Sequence, residues 1–200
     1  MALPGLTPGV AGCIDKVVMR RAAFLDRDGV VVVPEFRDGR SYAPRSLETF
    51  RLYDDVPASI QSLKDAGFIV VVATNQPDVG EGLVDLEVIE TMHKRLGELV
   101  PIDDIEVCYH TKHDGCRRRK PLPGMLEDAA KKWDIDVSAS FMVGDRFSDI
   151  QAGRAAGCRT VYIDRGYTAE PLVEGCDAKF LHLGGTVTWI LEASGSRVGL

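Results

Sequence analysis

The sequence predicts an α/β protein with a doubly wound, Rossmann-like parallel sheet, helices on both faces of that sheet and no separate cap domain. Three observations support this fold class. Short apolar runs alternate with amphipathic stretches, which is typical of βαβ units. One of these runs, FIVVVATN at 68–75, is almost continuously apolar, as burial of both faces of a strand requires. Polar residues directly follow several of the runs, and ligands bind at the carboxyl ends of parallel strands.

The predicted elements follow one another in a regular order. Residues 1–20 contain several prolines and glycines and predict a flexible tail, and residues 21–200 predict a single domain. The predicted strands are AAFLD, FIVVVATN, IEVCYH, SFMVGD and RTVYID. The predicted helices are VPASIQSLKDAGF, DLEVIETMHKRLGELV, GMLEDAAKKW and RFSDIQAGRAAG, and Gly67 and Gly157 favour helix ends. We expect PEFRDGRSYAPRS to be a loop that covers part of the ligand crevice.

Composition limits the classes of function. The net charge of -6 and the isoelectric point near 5.3 argue against a general nucleic-acid binder, which normally presents a basic surface. The five cysteines are scattered and odd in number, which is typical of a reducing cytoplasm rather than of a disulfide framework. No apolar run is long enough to cross a bilayer, and no secretory signal is apparent. We therefore expect a cytoplasmic protein. We also expect it to be a monomer or a weak oligomer.

The segment AAFLDRDGVVVV, residues 22–33, has two structural interpretations. An Asp-Gly pair between apolar runs is a strong signal for a hairpin turn. Alternatively, a buried strand ends before Asp26 and a ligand site follows it. The motifs TNQ and GD also follow predicted strands, and this convergence favours the ligand site. In an extended segment Asp26 and Asp28 face one side while Arg27 points away.

Acidic residues at these strand ends can act together. Two carboxylates that share a site tend to separate their pKa values, so that one stays ionised while the other can hold a proton. Asp145 adds a third carboxylate to Asp26 and Asp28, and three carboxylates favour a hard cation such as Mg2+. Thr74 and Lys120 can supply the donors that an anionic substrate needs.

In order along the chain, DRDGV, a strand ending in ATNQ, RKPLPGM and MVGDRFSDIQA resemble the motifs of the haloacid dehalogenase (HAD) superfamily of phosphohydrolases. The resemblance extends over residues 20–170. Within the superfamily, the chain resembles the branch that contains the D-glycero-D-manno-heptose 1,7-bisphosphate phosphatases and the histidinol-phosphate phosphatases. A magnesium-dependent phosphomonoesterase with a small phosphorylated sugar as substrate is what this resemblance implies.

The resemblance also implies roles for individual residues. Asp26 is the nucleophile that forms an aspartyl-phosphate, and Asp28 is the acid that protonates the leaving group and then deprotonates water. Mg2+ is held by the Asp26 side chain, the Asp28 main-chain carbonyl and Asp145.

Further residues are implied in binding. Lys120 and Thr74 bind the oxygens of the transferring phosphoryl group, and Asp149 orients Lys120 or a metal-bound water. Two arginines beside these motifs suit a second phosphate, since guanidinium groups bind phosphate in bidentate fashion. The implied substrate contacts are Asn75, Gln76, Pro77, Arg119 and Arg146.

The segment CYHTKHDGCRRRKP resembles a zinc loop that members of this branch often have. It supplies Cys108, His110 and Cys116, but the fourth ligand position holds Arg118. A structural zinc site needs four protein ligands, and arginine cannot be one. Either His113 completes the set, if the loop bends towards the metal, or the site is degenerate and Cys108 is an ordinary buried cysteine.

Two further patterns affect the interpretation of the site. Ser148 and Gln151 have the spacing of a capping box, so the segment after Asp145 also predicts the start of a helix. Glu81 stands where many relatives have an arginine, which adds negative charge beside a phosphate site.

Three functions are compatible with the motifs. The first is a phosphatase that removes the C7 phosphate of heptose 1,7-bisphosphate. The second is a phosphatase for histidinol phosphate or another small phosphomonoester. The third is a receiver-like phosphoacceptor domain, which Asp28 disfavours, because an acid two residues after the nucleophile favours rapid turnover rather than a lasting aspartyl-phosphate. We favour the first.

Overall fold

The structure is a computed structural model that describes residues 19–169 and 173–196. Most of the predicted tail, residues 1–18, lies outside the described residues. Arg20 is already tied to the fold, because its N–H donates to the Asp134 carbonyl at 2.9 Å and its carbonyl accepts from the Asp136 N–H at 2.7 Å. Among the helices that the structure describes, none is long and apolar enough to span a membrane.

The described residues form eight strands and six α-helices. The strands are β1 (Ala22–Leu25), β2 (Glu35–Arg37), β3 (Arg40–Tyr42), β4 (Ile69–Asn75), β5 (Asp104–Cys108), β6 (Phe141–Gly144), β7 (Arg159–Ile163) and β8 (Ala178–Phe180). The helices are α1 (Val56–Asp65), α2 (Pro77–Gly80), α3 (Leu86–Leu99), α4 (Gly124–Trp133), α5 (Phe147–Ala156) and α6 (Leu183–Ala193). Six strands form one parallel sheet in the order β5-β4-β1-β6-β7-β8. The predicted fold class is confirmed.

The sheet has a hydrophobic core on each face. Along β1, Ala23 and Leu25 pack into the core that α1 and α6 cover, whereas Ala22 and Phe24 pack into the core that α4 covers. Successive side chains of a strand point to opposite faces, so β1 is buried on both. This explains why the predicted strands are apolar throughout rather than alternating.

The segment predicted as a covering loop contains a hairpin. Strands β2 and β3 pair antiparallel, with Arg37 opposite Arg40. Asp38 and Gly39 connect them with positive φ angles of 50° and 75°, the conformation that a two-residue Asp-Gly turn provides. The loop prediction is therefore corrected to a hairpin at this segment. No separate cap domain is present among the described residues.

Candidate active site

The polar motifs meet at one edge of the sheet. Strand β1 lies between β4 and β6, with Leu25 in register with Val72 on one side and Val143 on the other. Asp26 follows β1, and Asp145 follows β6. The convergence predicted from the sequence is therefore present, and the pair at 28–29 does not join two antiparallel strands.

Three carboxylates form the centre of this site. Asp26, Asp145 and Asp149 are 7%, 1% and 0% exposed, and each has an oxygen within 4.8 Å of the other two. Burial and the neighbouring carboxylates of Asp26 and Asp149 raise the pKa of Asp145 well above its usual value. Burial raises the pKa of Asp149 to about 6, although Lys120 opposes this shift. Three buried carboxylates this close together require a cation to compensate their negative charge.

Lys120 provides one positive charge to this cluster. Its Nζ lies 2.8 Å from Asp26 Oδ1 and 2.7 Å from Asp149 Oδ1, and it donates to the Ala73 carbonyl at 2.8 Å. Burial lowers the pKa of Lys120, but Asp149 and Asp26 raise it above its usual value. Asn75 fixes the lysine backbone, because its side chain accepts from the Lys120 N–H at 3.1 Å and donates to the Lys120 carbonyl at 3.0 Å.

Helix α5 presents Asp149 to the carboxylate cluster. It begins at Phe147, and the Arg146 N–H donates to Asp149 Oδ2 at 3.0 Å. The helix start predicted here is confirmed, but the predicted capping box of Ser148 and Gln151 is wrong. Ser148 lies inside the first turn of the helix and therefore cannot be its N-cap. Asp149 caps the helix through Oδ2, while its Oδ1 contacts Lys120.

Arg27 does not point away from the site, contrary to the prediction. It is 0% exposed, and its Nη2 lies 3.0 Å from Asp28 Oδ2. The alternation rule holds for extended chain only, and the chain turns here: the Val31 and Val32 N–H groups both donate to the Arg27 carbonyl. Gln76 Nε2 also donates to Asp28 Oδ2 at 2.7 Å. Asp28 is therefore held from two sides.

A cavity of about 370 Å³ opens above these groups. Three arginines line it: Arg40, Arg119 and Arg146. Arg146 Nη2 donates to the carbonyl and hydroxyl of Ser41 at 2.7 and 2.6 Å, and Arg119 Nη1 donates to the His110 carbonyl at 2.8 Å. The Arg40 guanidinium has no hydrogen bond or ion pair with the residues that the structure describes.

The predicted residues differ in their access to this cavity. Thr74 and Gln76 are buried beneath it, with Gln76 Nε2 donating to Thr74 Oγ1 at 2.9 Å. Asp145 is also buried beneath it. The predicted residues that line the cavity are Asp26, Asp28, Asn75, Pro77, Arg119, Lys120, Arg146 and Asp149.

The negative charge expected from Glu81 has a positively charged residue near it, Arg45. Glu81 is exposed just after α2. Nearby, Arg45 Nε lies 2.7 Å from Asp78 Oδ2. The hydrogen bond that Arg45 donates to Asp78 raises the pKa of Arg45, and the charge of Glu81 adds to this shift. Arg45, on the loop after the hairpin, therefore offsets part of the added negative charge.

Several site residues were missed by sequence reasoning. Tyr167 donates its hydroxyl to Asp145 Oδ2 at 2.6 Å and stacks on Phe36 of the hairpin. Arg165 Nε donates to the Gly29 carbonyl at 2.7 Å. Arg40 reaches the cavity from the hairpin. The available signals were the position of RGY, residues 165–167, shortly after the end of β7 and the Asp-Gly turn at 38–39.

Gly29 lies against the carboxylate cluster and has a φ of 87°. An added Cβ would overlap Asp145 Oδ2 and lie 2.8 Å from the Tyr167 hydroxyl. Gly29→Ala should therefore lower the free energy of unfolding by at least about 3 kcal/mol, measured by urea denaturation. Gly67→Ala is the matched control, since Gly67 has a φ of 80° with no atom within 4 Å of the added Cβ. It should cost only about 1–2 kcal/mol of backbone strain. Equal losses would contradict the close approach to Asp145.

Three of the zinc-loop residues come together. Cys108 Sγ lies 3.8 Å from both Cys116 Sγ and His110 Nδ1. His113 is exposed and does not belong to this group. Arg118, at the fourth position, lies 2.6 Å from Glu106 Oε2 and 2.7 Å from Asp128 Oδ2.

Known proteins are similar to this chain in sequence and fold. A family model described as HAD-hydrolase-like matches residues 117–181. The D-glycero-beta-D-manno-heptose-1,7-bisphosphate 7-phosphatase of Pseudomonas aeruginosa is 38% identical over 168 residues, which cover 78% of this chain and 90% of that protein. The protein of the same name from Rhodopseudomonas palustris is 37% identical over 150 residues, covering 69% of this chain and 80% of that protein.

A solved structure of a protein from the same group of phosphatases is also similar to this chain. The crystal structure of D,D-heptose 1,7-bisphosphate phosphatase from B. bronchiseptica, complexed with magnesium and phosphate, matches with a TM-score of 0.74 at 30% identity. The match covers 86% of this chain and 99% of that chain. The chain therefore belongs to the HAD family of phosphatases, in the branch of the D-glycero-D-manno-heptose 1,7-bisphosphate 7-phosphatases.

Proposed function

We propose that this protein is a magnesium-dependent phosphatase that removes the C7 phosphate of D-glycero-D-manno-heptose 1,7-bisphosphate and releases heptose 1-phosphate. The main supporting observation is the contact of Asp26 with Lys120 at the base of a cavity that three arginines line. A nucleophile beside a buried cation suits phosphoryl transfer, and the surrounding arginines suit a substrate with a second phosphate.

The carboxylate cluster fits a magnesium ion. Asp145 Oδ1 is buried and has no hydrogen-bond partner among the described residues, so it is available as a ligand. Mg2+ prefers oxygen ligands, and the Asp26 and Asp145 side chains with the Asp28 main-chain carbonyl would supply them. When bound, the ion would neutralise charge on the phosphoryl oxygens.

The first half of the proposed reaction transfers the phosphoryl group to the protein. A carboxylate oxygen of Asp26 attacks phosphorus, and the bond between phosphorus and the C7 oxygen breaks. Asp28, in its acid form, gives its proton to that oxygen, so the sugar leaves as an alcohol. Lys120 and Thr74 stabilise the negative charge on the transferring oxygens, and Asp149 holds the lysine in place.

The second half regenerates the protein. Asp28, now a carboxylate, takes a proton from a water molecule whose oxygen attacks the same phosphorus. The bond between phosphorus and Asp26 breaks, which restores the Asp26 carboxylate and releases inorganic phosphate. Asp28 thereby regains the proton that it gave to the leaving group. An acid–base group of this kind favours an enzyme that turns over rapidly rather than a receiver domain, which retains its aspartyl-phosphate.

Free thiols at Cys158 and Cys176 fit the cytoplasmic location that we propose for the enzyme.

The test is phosphate release in the presence of Mg2+ from both anomers of heptose 1,7-bisphosphate, histidinol phosphate and simple sugar phosphates. We expect the highest kcat/KM for one heptose anomer, with release abolished in Asp26→Asn. Preference for histidinol phosphate would support the second candidate, and no Asp26-dependent release from any substrate would refute the proposal.

Arg40→Gln should raise the KM for the bisphosphate by about 10-fold, since it removes one charge-assisted hydrogen bond. It should leave the KM for histidinol phosphate unchanged.

The Cys108, His110 and Cys116 set does not by itself fit a closed structural zinc site, because it offers three ligands where four are needed. We infer that Arg118 stabilises this loop in place of a fourth ligand, through its ion pairs with Glu106 and Asp128.

Arg118→Cys should then complete a zinc site. We expect its affinity for Zn2+ to exceed that of the unchanged protein by about 100-fold or more, since zinc–thiolate bonding is strong and the other three ligands are already close. Competition with a chromophoric chelator measures this. Arg118→Ser removes the same ion pairs without adding a thiolate and should show no gain. Stoichiometric tight zinc in the unchanged protein would contradict the inference.

A further inference from the structure

We propose that Arg27 and His93 are positioning residues for the acid–base group Asp28, linked to it by a chain of partly buried contacts that starts on helix α3. This inference rests on the proposed phosphatase function. It assigns a catalytic contribution to a residue of α3, a helix that supplies none of the predicted site residues.

The first contact is between Arg27 and Asp28. Arg27 Nε lies 3.1 and 3.2 Å from the two oxygens of Asp28, and Nη2 lies 3.0 Å from Oδ2. Two nitrogens of a rigid, planar guanidinium therefore engage the carboxylate together, which fixes its orientation as well as its position. Burying a charged guanidinium costs free energy unless its N–H groups have hydrogen-bond partners. The observed partners of Arg27 therefore explain how its side chain can be buried.

The second contact is between Arg27 and His93. Arg27 Nη1 lies 3.0 Å from His93 Nε2. Arginine can only donate, so the imidazole accepts through an unprotonated Nε2. Burial and the charge of Arg27 lower the pKa of His93 to about 3, which is consistent with a neutral ring. The imidazole thus satisfies the guanidinium edge that faces away from Asp28 and prevents the guanidinium from rotating.

A third group completes the arrangement around Asp28. Gln76 Nε2 donates to Asp28 Oδ2 at 2.7 Å and to Thr74 Oγ1 at 2.9 Å. The carboxylate is therefore held between the α3 side and the end of β4. A proton donor must be oriented closely towards the leaving oxygen, and small displacements of such a group reduce the rate strongly. The chain of contacts from His93 through Arg27 provides this orientation.

The experiment compares two leaving groups. Transfer from p-nitrophenyl phosphate needs little help from an acid, because p-nitrophenolate is a stable anion, whereas phenyl phosphate needs more. The ratio of the two kcat/KM values therefore reports the contribution of Asp28 to the first step. Asp28→Asn defines the ratio when that contribution is lost, and Asp26→Asn defines the background.

We expect His93→Leu to raise the p-nitrophenyl to phenyl ratio by about 5-fold or more, towards the value of Asp28→Asn. His93→Gln, whose amide oxygen can accept from Arg27, should restore most of the original ratio. Leu96→Ala is the matched control, because Leu96 is a buried residue of the same helix that packs in the core. It should lower the melting temperature without changing the ratio.

The outcomes separate this inference from the proposed function. An unchanged ratio in His93→Leu, with normal Asp26-dependent activity in the unchanged protein, would overturn the positioning role alone. A protein with no Asp26-dependent release from any phosphate ester would overturn both. A changed ratio that His93→Gln does not restore would show that packing, rather than the hydrogen bond to Arg27, is what matters, and would also overturn the inference.

Discussion

Asp26→Asn is expected to reduce phosphate release by about 10^4-fold or more, while the variant melts at no lower temperature than the unchanged protein in the absence of metal. The amide cannot form the aspartyl-phosphate, so turnover stops. Stability is preserved because Asp26 raises the pKa of both Asp145 and Asp149. Removing one of three buried negative charges relieves repulsion, and Lys120 keeps its contact with Asp149.

Two measurements on the same preparation check this prediction. Phosphate release is followed with Mg2+ present, and thermal melting is followed with a chelator present. Asn75→Ala is a useful comparison, since it leaves the carboxylates intact and removes the side chain that fixes the Lys120 backbone. A large loss of stability in Asp26→Asn would contradict the proposed repulsion, and residual activity near that of the unchanged protein would show that another residue is the nucleophile.

Lys120→Met is expected to have the largest effect on stability. It leaves Asp26 and Asp149 without their buried cation, and breaking a buried ion pair by removing one partner costs about 3–5 kcal/mol. Urea denaturation without metal measures this loss of unfolding free energy. Phosphate release should also fall by about 10^3-fold, because the lysine no longer stabilises the transferring oxygens.

A double variant identifies the cause of that loss. Lys120→Met combined with Asp149→Asn removes the charge that the lysine compensates, so it should regain about 2 kcal/mol relative to Lys120→Met alone. No recovery would mean that the lost packing of the lysine stem, rather than the unpaired carboxylate, destabilises the single variant. A single variant as stable as the unchanged protein would contradict the central role of Lys120 in the cluster.

Sequence reasoning succeeded where burial and chemistry leave a pattern that is local in the chain. The central strands are apolar because both their faces are covered, and the acids that follow them mark the shared edge. The same reasoning could not distinguish the structural roles of the two Asp-Gly pairs. The pair at 28–29 lies in the site, whereas the pair at 38–39 forms the hairpin turn, and only the partners of the flanking strands distinguish them.

Features that depend on distant partners were not predictable. Arg27 was expected to point away from the site, because residues 26–28 were treated as extended chain and its partner His93 is far away in the sequence. Helix α6 was missed because two glycines, which are poor helix formers, follow its first residue, Leu183. Its start is fixed instead by a hydrogen bond from the Gly184 N–H to Asp55 Oδ2 at 2.8 Å. Such tertiary contacts override local preference.

The strand order β4-β1-β6 also determines when the protein can become active as it is being synthesised. The ribosome releases β1 and the proposed nucleophile Asp26 early, but the strand that supports Asp145 emerges much later and must insert directly beside β1. Until it does, the nascent chain has neither Asp145 nor Asp149 next to Asp26, however well its earlier segments have folded. The onset of phosphate release would therefore mark the moment when the last central strand joins the sheet.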